Sequence, residues 1–159
     1  MFLSVKGAKS GVIKGESQDS LHAEEIDVVS WSWGMQSKSS LGGGAATGKA
    51  TLHELKIVKR VDSASTPLMT ALKNNELITK AVLTLRKAGK GALEFFKVTI
   101  EQGRVTSITI DGGGDRSGTP DVFENVSFTF NRITVDYVPQ GKDGQSRGAT
   151  TFTDEFSGA

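Results

Sequence analysis

The run Glu54-Leu-Lys-Ile-Val-Lys-Arg-Val-Asp-Ser-Ala-Ser-Thr-Pro-Leu-Met-Thr-Ala-Leu72 sets the tightest limit on what this chain can fold into. It reads as a strand that runs directly into a helix, in a chain whose other periodic segments read as strands. Leu55, Ile57 and Val61 share one side while Glu54, Lys56 and Arg60 share the other, the two-residue period of a half-buried strand. Thr66 is then a hydroxyl N-cap, and Pro67 takes the first helical position, where a missing N–H costs nothing. Leu68, Met69 and Leu72 fall at helical spacing and Asn74-Asn75 supplies a left-handed stop, which predicts one helix over about 66–74.

Nineteen glycines against three prolines suit the tight turns of antiparallel sheet. Phe2 to Lys6 reads as a first strand, followed by a polar loop through Lys14-Gly-Glu-Ser17. Ile26 to Gln36 reads as one long strand with Val29, Trp31, Trp33 and Met35 on its inward face. The glycine-rich stretch Leu41 to Gly48 is longer than a hairpin needs, and long loops on compact domains tend to carry function. Ile78 to Lys87 is a further strand, ended by Ala88-Gly-Lys-Gly91. Leu93 to Glu101 and Val105 to Ile110 are expected to pair as a hairpin around Gln102-Gly103, with Asp111-Gly-Gly-Gly-Asp115 opening a second loop. Between Val122 and Val138 the apolar face changes from Val126, Phe128 and Phe130 to Ile133, Val135 and Tyr137, which predicts a bulge or bend near Asn131-Arg132. The end is polar, with Phe152 and Phe156 as anchors. The sum is a mainly β chain of about seven or eight antiparallel strands and one short helix, a two-sheet sandwich or partly closed barrel forming one domain over 1–159.

The chain lacks cysteine, which excludes disulfides, thiol catalysis and thiolate metal sites. Its 19 basic and 18 acidic residues leave a formal charge of +1, so no general attraction to nucleic acid or anionic membrane is expected. No segment approaches the roughly 18 apolar residues of a membrane-spanning helix. Met1-Phe-Leu-Ser-Val-Lys6 is too short for a secretory signal, so the expected location is the cytoplasm, or outside by a route without a cleaved signal.

Gly43-Gly-Ala-Ala-Thr-Gly48-Lys49 matches the first positions of a phosphate-binding loop, but Ala50 stands where a hydroxyl must hold Mg²⁺. Such a loop must also open a helix, and the alternating Thr51–Val61 segment comes next instead. His22 and His53 lie far apart without metal-ligand spacing, and surface or strand-pairing roles are expected for them. Glu24, Glu25 and Asp27 could do acid–base work only with carboxylates placed about 5 to 9 Å apart, and a solvated edge is the simpler reading. Lys56, Lys59 and Arg60 lack interleaved exposed aromatics, so they do not make a nucleic-acid surface. Trp31 and Trp33 are expected in the core rather than in a ligand pocket. No catalytic constellation, metal site or cofactor site emerges.

Four segments occur in order: Lys14-Gly-Glu-Ser17, Ile26-Asp-Val-Val-Ser-Trp-Ser-Trp-Gly34, Asp62-Ser-Ala-Ser-Thr-Pro-Leu68 and Glu124-Asn-Val-Ser-Phe128. Through them the chain resembles, over nearly its whole length, the Hcp family, the hemolysin-coregulated proteins of the bacterial type VI secretion inner tube. The resemblance implies a two-sheet β domain with one flanking helix, related in fold to phage tail-tube proteins. It also implies a non-enzymatic subunit of homohexameric rings that stack into a tube, are expelled by a contracting sheath, and carry small effectors in their lumen. Implied partners are further copies, the spike protein, the sheath and baseplate, and small secreted effectors. A C-terminal toxin domain, which some members carry, is not expected. Leu41, Gly42, Gly43, Gly44, Ala45, Ala46, Thr47, Gly48 and Lys49 match the extended loop that contacts neighbouring subunits or the next ring. Competing readings are a phage-type tail-tube protein, a monomeric β-barrel that binds a ligand through Trp31 and Trp33, and a nucleotide-binding enzyme.

Overall fold

The strand predicted before the helix forms as β7 (Leu55–Arg60), with Leu55 and Ile57 fully buried and Lys56 and Arg60 exposed. The computed structural model describes residues 1–37, 50–88, 93–114, 117–118, 120–141 and 148–156. Around β7 stand β1 (Phe2–Gly7), β2 (Gly11–Ile13), β3 (Ile26–Asp27), β4 (Ser30–Ser32), β5 (Met35–Gln36) and β6 (Thr51–Leu52). After it come α1 (Ser65–Lys73), β8 (Ile78–Arg86), β9 (Glu94–Gly114), β10 (Pro120–Thr129), β11 (Arg132–Tyr137) and β12 (Thr150–Glu155).

The long strand β9 organises the rest. Its first half pairs with β8 on one edge and β11 on the other, and its second half pairs with β10, all antiparallel. One layer therefore runs β2, β1, β8, β9, β11, β12, and the other runs β9, β10, β7, β4. The layers share one core, in which Leu3, Val5, Leu83, Val98, Ile100 and Ile133 of the first meet Leu55, Ile57, Val105, Val126 and Phe128 of the second. The helix packs on β9 and contributes Leu68 to that core. Among the described residues the result is the expected two-layer antiparallel fold with a single helix, sandwich-like and without barrel closure.

Several local expectations are corrected. Gln102-Gly103 is not a hairpin turn, because β9 runs straight through it. Gln102 takes a left-handed φ of 52°, and a Cβ on Gly103 would lie 2.3 Å from the Thr129 carbonyl oxygen. Together they bend the strand out of one layer into the other rather than reversing it. Its partner bends at the same level, where the Asn131 amide donates to the carbonyls of Glu101 and Gln102, so the bend predicted near Asn131-Arg132 is present. Asp111-Gly112-Gly113-Gly114 is not a loop either. Its ladder with Phe123, Val122, Asp121 and Pro120 holds the glycines extended as the end of β9.

The segment 26–36 is three short strands rather than one. The Val28 amide donates to the Met1 carbonyl, while the Val29 amide donates to that of Val58. Adjacent residues thus belong to different layers, and the crossing flips the faces. Ile26 and Val28 are buried, Val29 and Met35 are exposed, and only Trp31 and Trp33 of the expected inward set pack against the core. Val61 is exposed as well, because β7 ends at Arg60.

The helix starts at Ser65, not after Thr66, and no side chain caps it from the Ala64 position. Asp62 shapes the entry instead. Its carboxylate accepts from the Ala64 amide (2.9 Å), its carbonyl accepts from the Ser65 amide (3.1 Å), and its own amide donates to Ser65 Oγ (2.9 Å). Pro67 still falls in the first turn, where no partner N–H is needed. The stop is as predicted, with Asn75 left-handed at φ 51°. Glu76 comes next and fastens the β1–β2 turn, accepting from the Lys9 and Ser10 amides and from Ser10 Oγ. Burial alone would raise its carboxyl, but those hydrogen bonds outweigh it and hold the group below the usual range.

Candidate assembly surface

The residues best placed to meet another molecule lie on β11 and β12. Ile133, Val135 and Tyr137 share a face, and their cross-strand partners Asp154, Phe152 and Thr150 continue it. Ile133 is fully buried there, yet Tyr137 is 44% and Phe152 39% exposed. The layer's core-facing surface thus runs on past the edge of the core, where Tyr137 and Phe152 are partly open. Every residue of β12 is exposed, and among the described residues β12 pairs only with β11, leaving an open edge. Phe156 stays 43% exposed although its ring lies 6.3 Å from that of Phe130. At the far margin of the other layer β4 pairs only with β7 among the described residues, a second open edge.

The loop residues assigned to subunit contact, Leu41 to Lys49, lie outside the described residues, and so does the glycine-rich part of the phosphate-loop match. Strand β6 rather than a helix comes after that match, so among the described residues no helix opens where such a loop needs one. Trp31 stacks at 5.6 Å on Phe96 and, like Trp33, packs on the core. Asp115 is also outside the described residues.

The remaining candidates separate. Glu24 pairs with Lys14 at 3.0 Å, Glu25 Oε2 lies 2.6 Å from His22 Nδ1, and Asp27 lines a 420 Å³ cavity with Glu16, Arg60 and Asp62. His53 is exposed, but His22 is buried rather than on the surface. Among the described residues no group of three or more His, Cys, Asp or Glu is arranged to hold a metal ion. The basic trio splits, with Lys56 and Arg60 outward and Lys59 inward.

Sequence reasoning passed over two polar clusters. Lys59, 1% exposed, donates to Glu124 Oε2 (2.6 Å) and Ser65 Oγ (3.1 Å) and lies 2.8 Å from Asp62 Oδ1. It ties β7 to β10 and to the helix entry. The signal was present, because Lys59 has the same parity as Leu55 and Ile57. Elsewhere Arg86 grips Asp19 through both guanidinium nitrogens, over the Phe2 ring. That grip, and then the Leu21 amide, lower the Asp19 pKa to about 2. Its stabilisation is therefore present above the ordinary carboxyl value of 3.8 and lost as pH falls through about 2. In acid titrations followed by circular dichroism, Asp19→Asn should remove this acid-labile part, so that variant and parent converge in stability at the low end.

A profile of the family described as "Type VI secretion system effector, Hcp" matches residues 2–137. The chain is 40% identical over 143 residues to "Protein hcp1" of Pseudomonas aeruginosa, covering 88% of this chain and 86% of that protein. Among solved structures, Hcp1 from Salmonella typhimurium superposes with a TM-score of 0.76 at 28% identity, covering 98% of this chain and 94% of that one. A type VI secretion system effector from Yersinia pestis superposes with a TM-score of 0.70 at 25% identity, covering 96% and 98%.

Proposed function

We propose, because this chain belongs to the Hcp family of the type VI secretion system, that it is a structural subunit of the expelled tube, without enzymatic activity. Copies close into a homohexameric ring around a channel, rings stack, and the lumen holds small effectors. The stack assembles in the cytoplasm on the spike and baseplate inside the sheath, and leaves with its cargo on contraction.

The observation that supports assembly most directly is β12, a strand whose outer edge is open among the described residues and which exposes the aromatic Phe152. A neighbour's strand can satisfy its free backbone groups, and ring closure does this for every copy without leaving an edge. β4, open on its outer edge among the described residues, gives the neighbour a complementary side, as a head-to-tail ring requires. A formal charge of +1 lets identical copies approach without strong repulsion. The loop Leu41 to Lys49 is assigned to contacts with neighbouring subunits or the next ring.

Phe152→Lys should weaken association about tenfold or more, the usual effect of losing a buried aromatic anchor, while circular dichroism stays that of the parent. Deleting 42–47 should weaken ring or tube assembly while leaving the monomer folded. Sedimentation velocity follows both effects. Unchanged ring formation by Phe152→Lys would remove β12 from the interface.

A further inference from the structure

His22 lies on the loop between β2 and β3, 8% exposed, with its ring stacked on Phe2 of β1 at 4.5 Å and 6° between planes. Nδ1 is 2.6 Å from Glu25 Oε2 on the same loop, and Nε2 is 2.6 Å from Glu94 Oε1 at the start of β9. Both neighbours are carboxylates, which only accept hydrogen bonds. Both contacts are therefore hydrogen bonds only while the ring carries a proton on each nitrogen. A neutral ring can donate to one carboxylate and must turn a lone pair toward the other at that short distance.

We propose that His22 makes a proton-dependent clamp, which fastens the β2–β3 loop to the starts of β1 and β9 while the imidazole is doubly protonated. The charges around it are few. The loop itself contributes Asp19 and Glu25, β9 contributes Glu94, β8 contributes Arg86, and β1 contributes only the Phe2 ring. Arg86 is committed to Asp19. Loss of the ring proton leaves Glu25 and Glu94 facing an uncharged ring, with Arg86, the register partner of Glu94 on β8, as the one remaining cation among these groups. The clamp's stabilisation is present while the ring is charged and is lost once the ring is neutral. Loop hydrogen bonds that depend on the docked position include Glu24 amide to Ser17 carbonyl and Gly15 amide to Glu24 carbonyl. Opening would thus reach β2 and β3 but leave the layers' shared core in place.

The chain's two histidines make the test direct, since exposed His53 serves as an internal reference. Imidazole nitrogen NMR at pH 5.5 should show both His22 nitrogens protonated. Hydrogen exchange, corrected for intrinsic rates, should show protection in residues 15–25 falling about tenfold by pH 8.5, the loss of one charge-assisted hydrogen bond. His22→Gln should abolish that pH dependence. If the variant fails to fold, the wild-type measurements decide alone. A single neutral tautomer of His22 at pH 5.5, or equal protection of 15–25 at both pH values, would overturn the proposal.

Discussion

Lys59→Met is expected to cost about 3–5 kcal/mol of folding stability, the usual penalty for removing one partner of a buried ion pair. Lys59 and Glu124 are each 1% exposed and 2.6 Å apart. Lys59 holds Glu124 Oε2 while Oε1 has no hydrogen-bond partner among the described residues, so without the ammonium the carboxylate charge is left buried and unmatched. Asp62 and Ser65 lose the same donor at the helix entry. The double variant Lys59→Met/Glu124→Leu should recover at least half of the loss, since a buried pair replaced by apolar side chains is often neutral. Urea denaturation with a double-mutant cycle measures the coupling. A single-variant cost below about 1 kcal/mol would place the pair in solvent-like surroundings, contrary to its geometry.

Gly103→Ala should cost about 3 kcal/mol, the upper end for forcing an extra carbon into a packed site. The added Cβ would stand 2.3 Å from a backbone oxygen, Thr129 O, and cannot be relieved by a side chain turning away. Either β9 or the β10–β11 corner must shift, and both layers depend on that corner. Alanine at Gly112 is the control, because a Cβ there meets nothing within 4 Å. Thermal unfolding of the two variants should therefore differ by several degrees. Equal midpoints would mean the corner yields freely.

These two sites also mark where sequence reasoning succeeded and failed. Parity along β7 separated Leu55 and Ile57 from Lys56 and Arg60, and the same parity puts Lys59 inside, which grouping it with Lys56 and Arg60 as one basic cluster overlooked. The face change between Phe130 and Ile133 was legible because a bend must shift a two-residue period by one. Gly103 was misread because glycine marks turns and corners alike, and only the partner strand tells them apart. The crossing at Val28 and Val29 left no trace in composition, since each residue's hydrogen bond goes to a different layer. Helix exit at Asn75 was readable from side-chain chemistry. Helix entry was not, because Asp62 acts through a turn rather than as a cap. Of the assembly surface, Phe152 and Phe156 were noticed as anchors, but β12 itself was hidden by its polar composition.

Assembly is the claim on which the functional reading stands. Negative-stain electron microscopy of the purified protein, with mass from light scattering at micromolar concentration, tests it most directly. Six-fold rings with an open centre, and a mass to match, are the expected result. A monodisperse monomer at that concentration would contradict it.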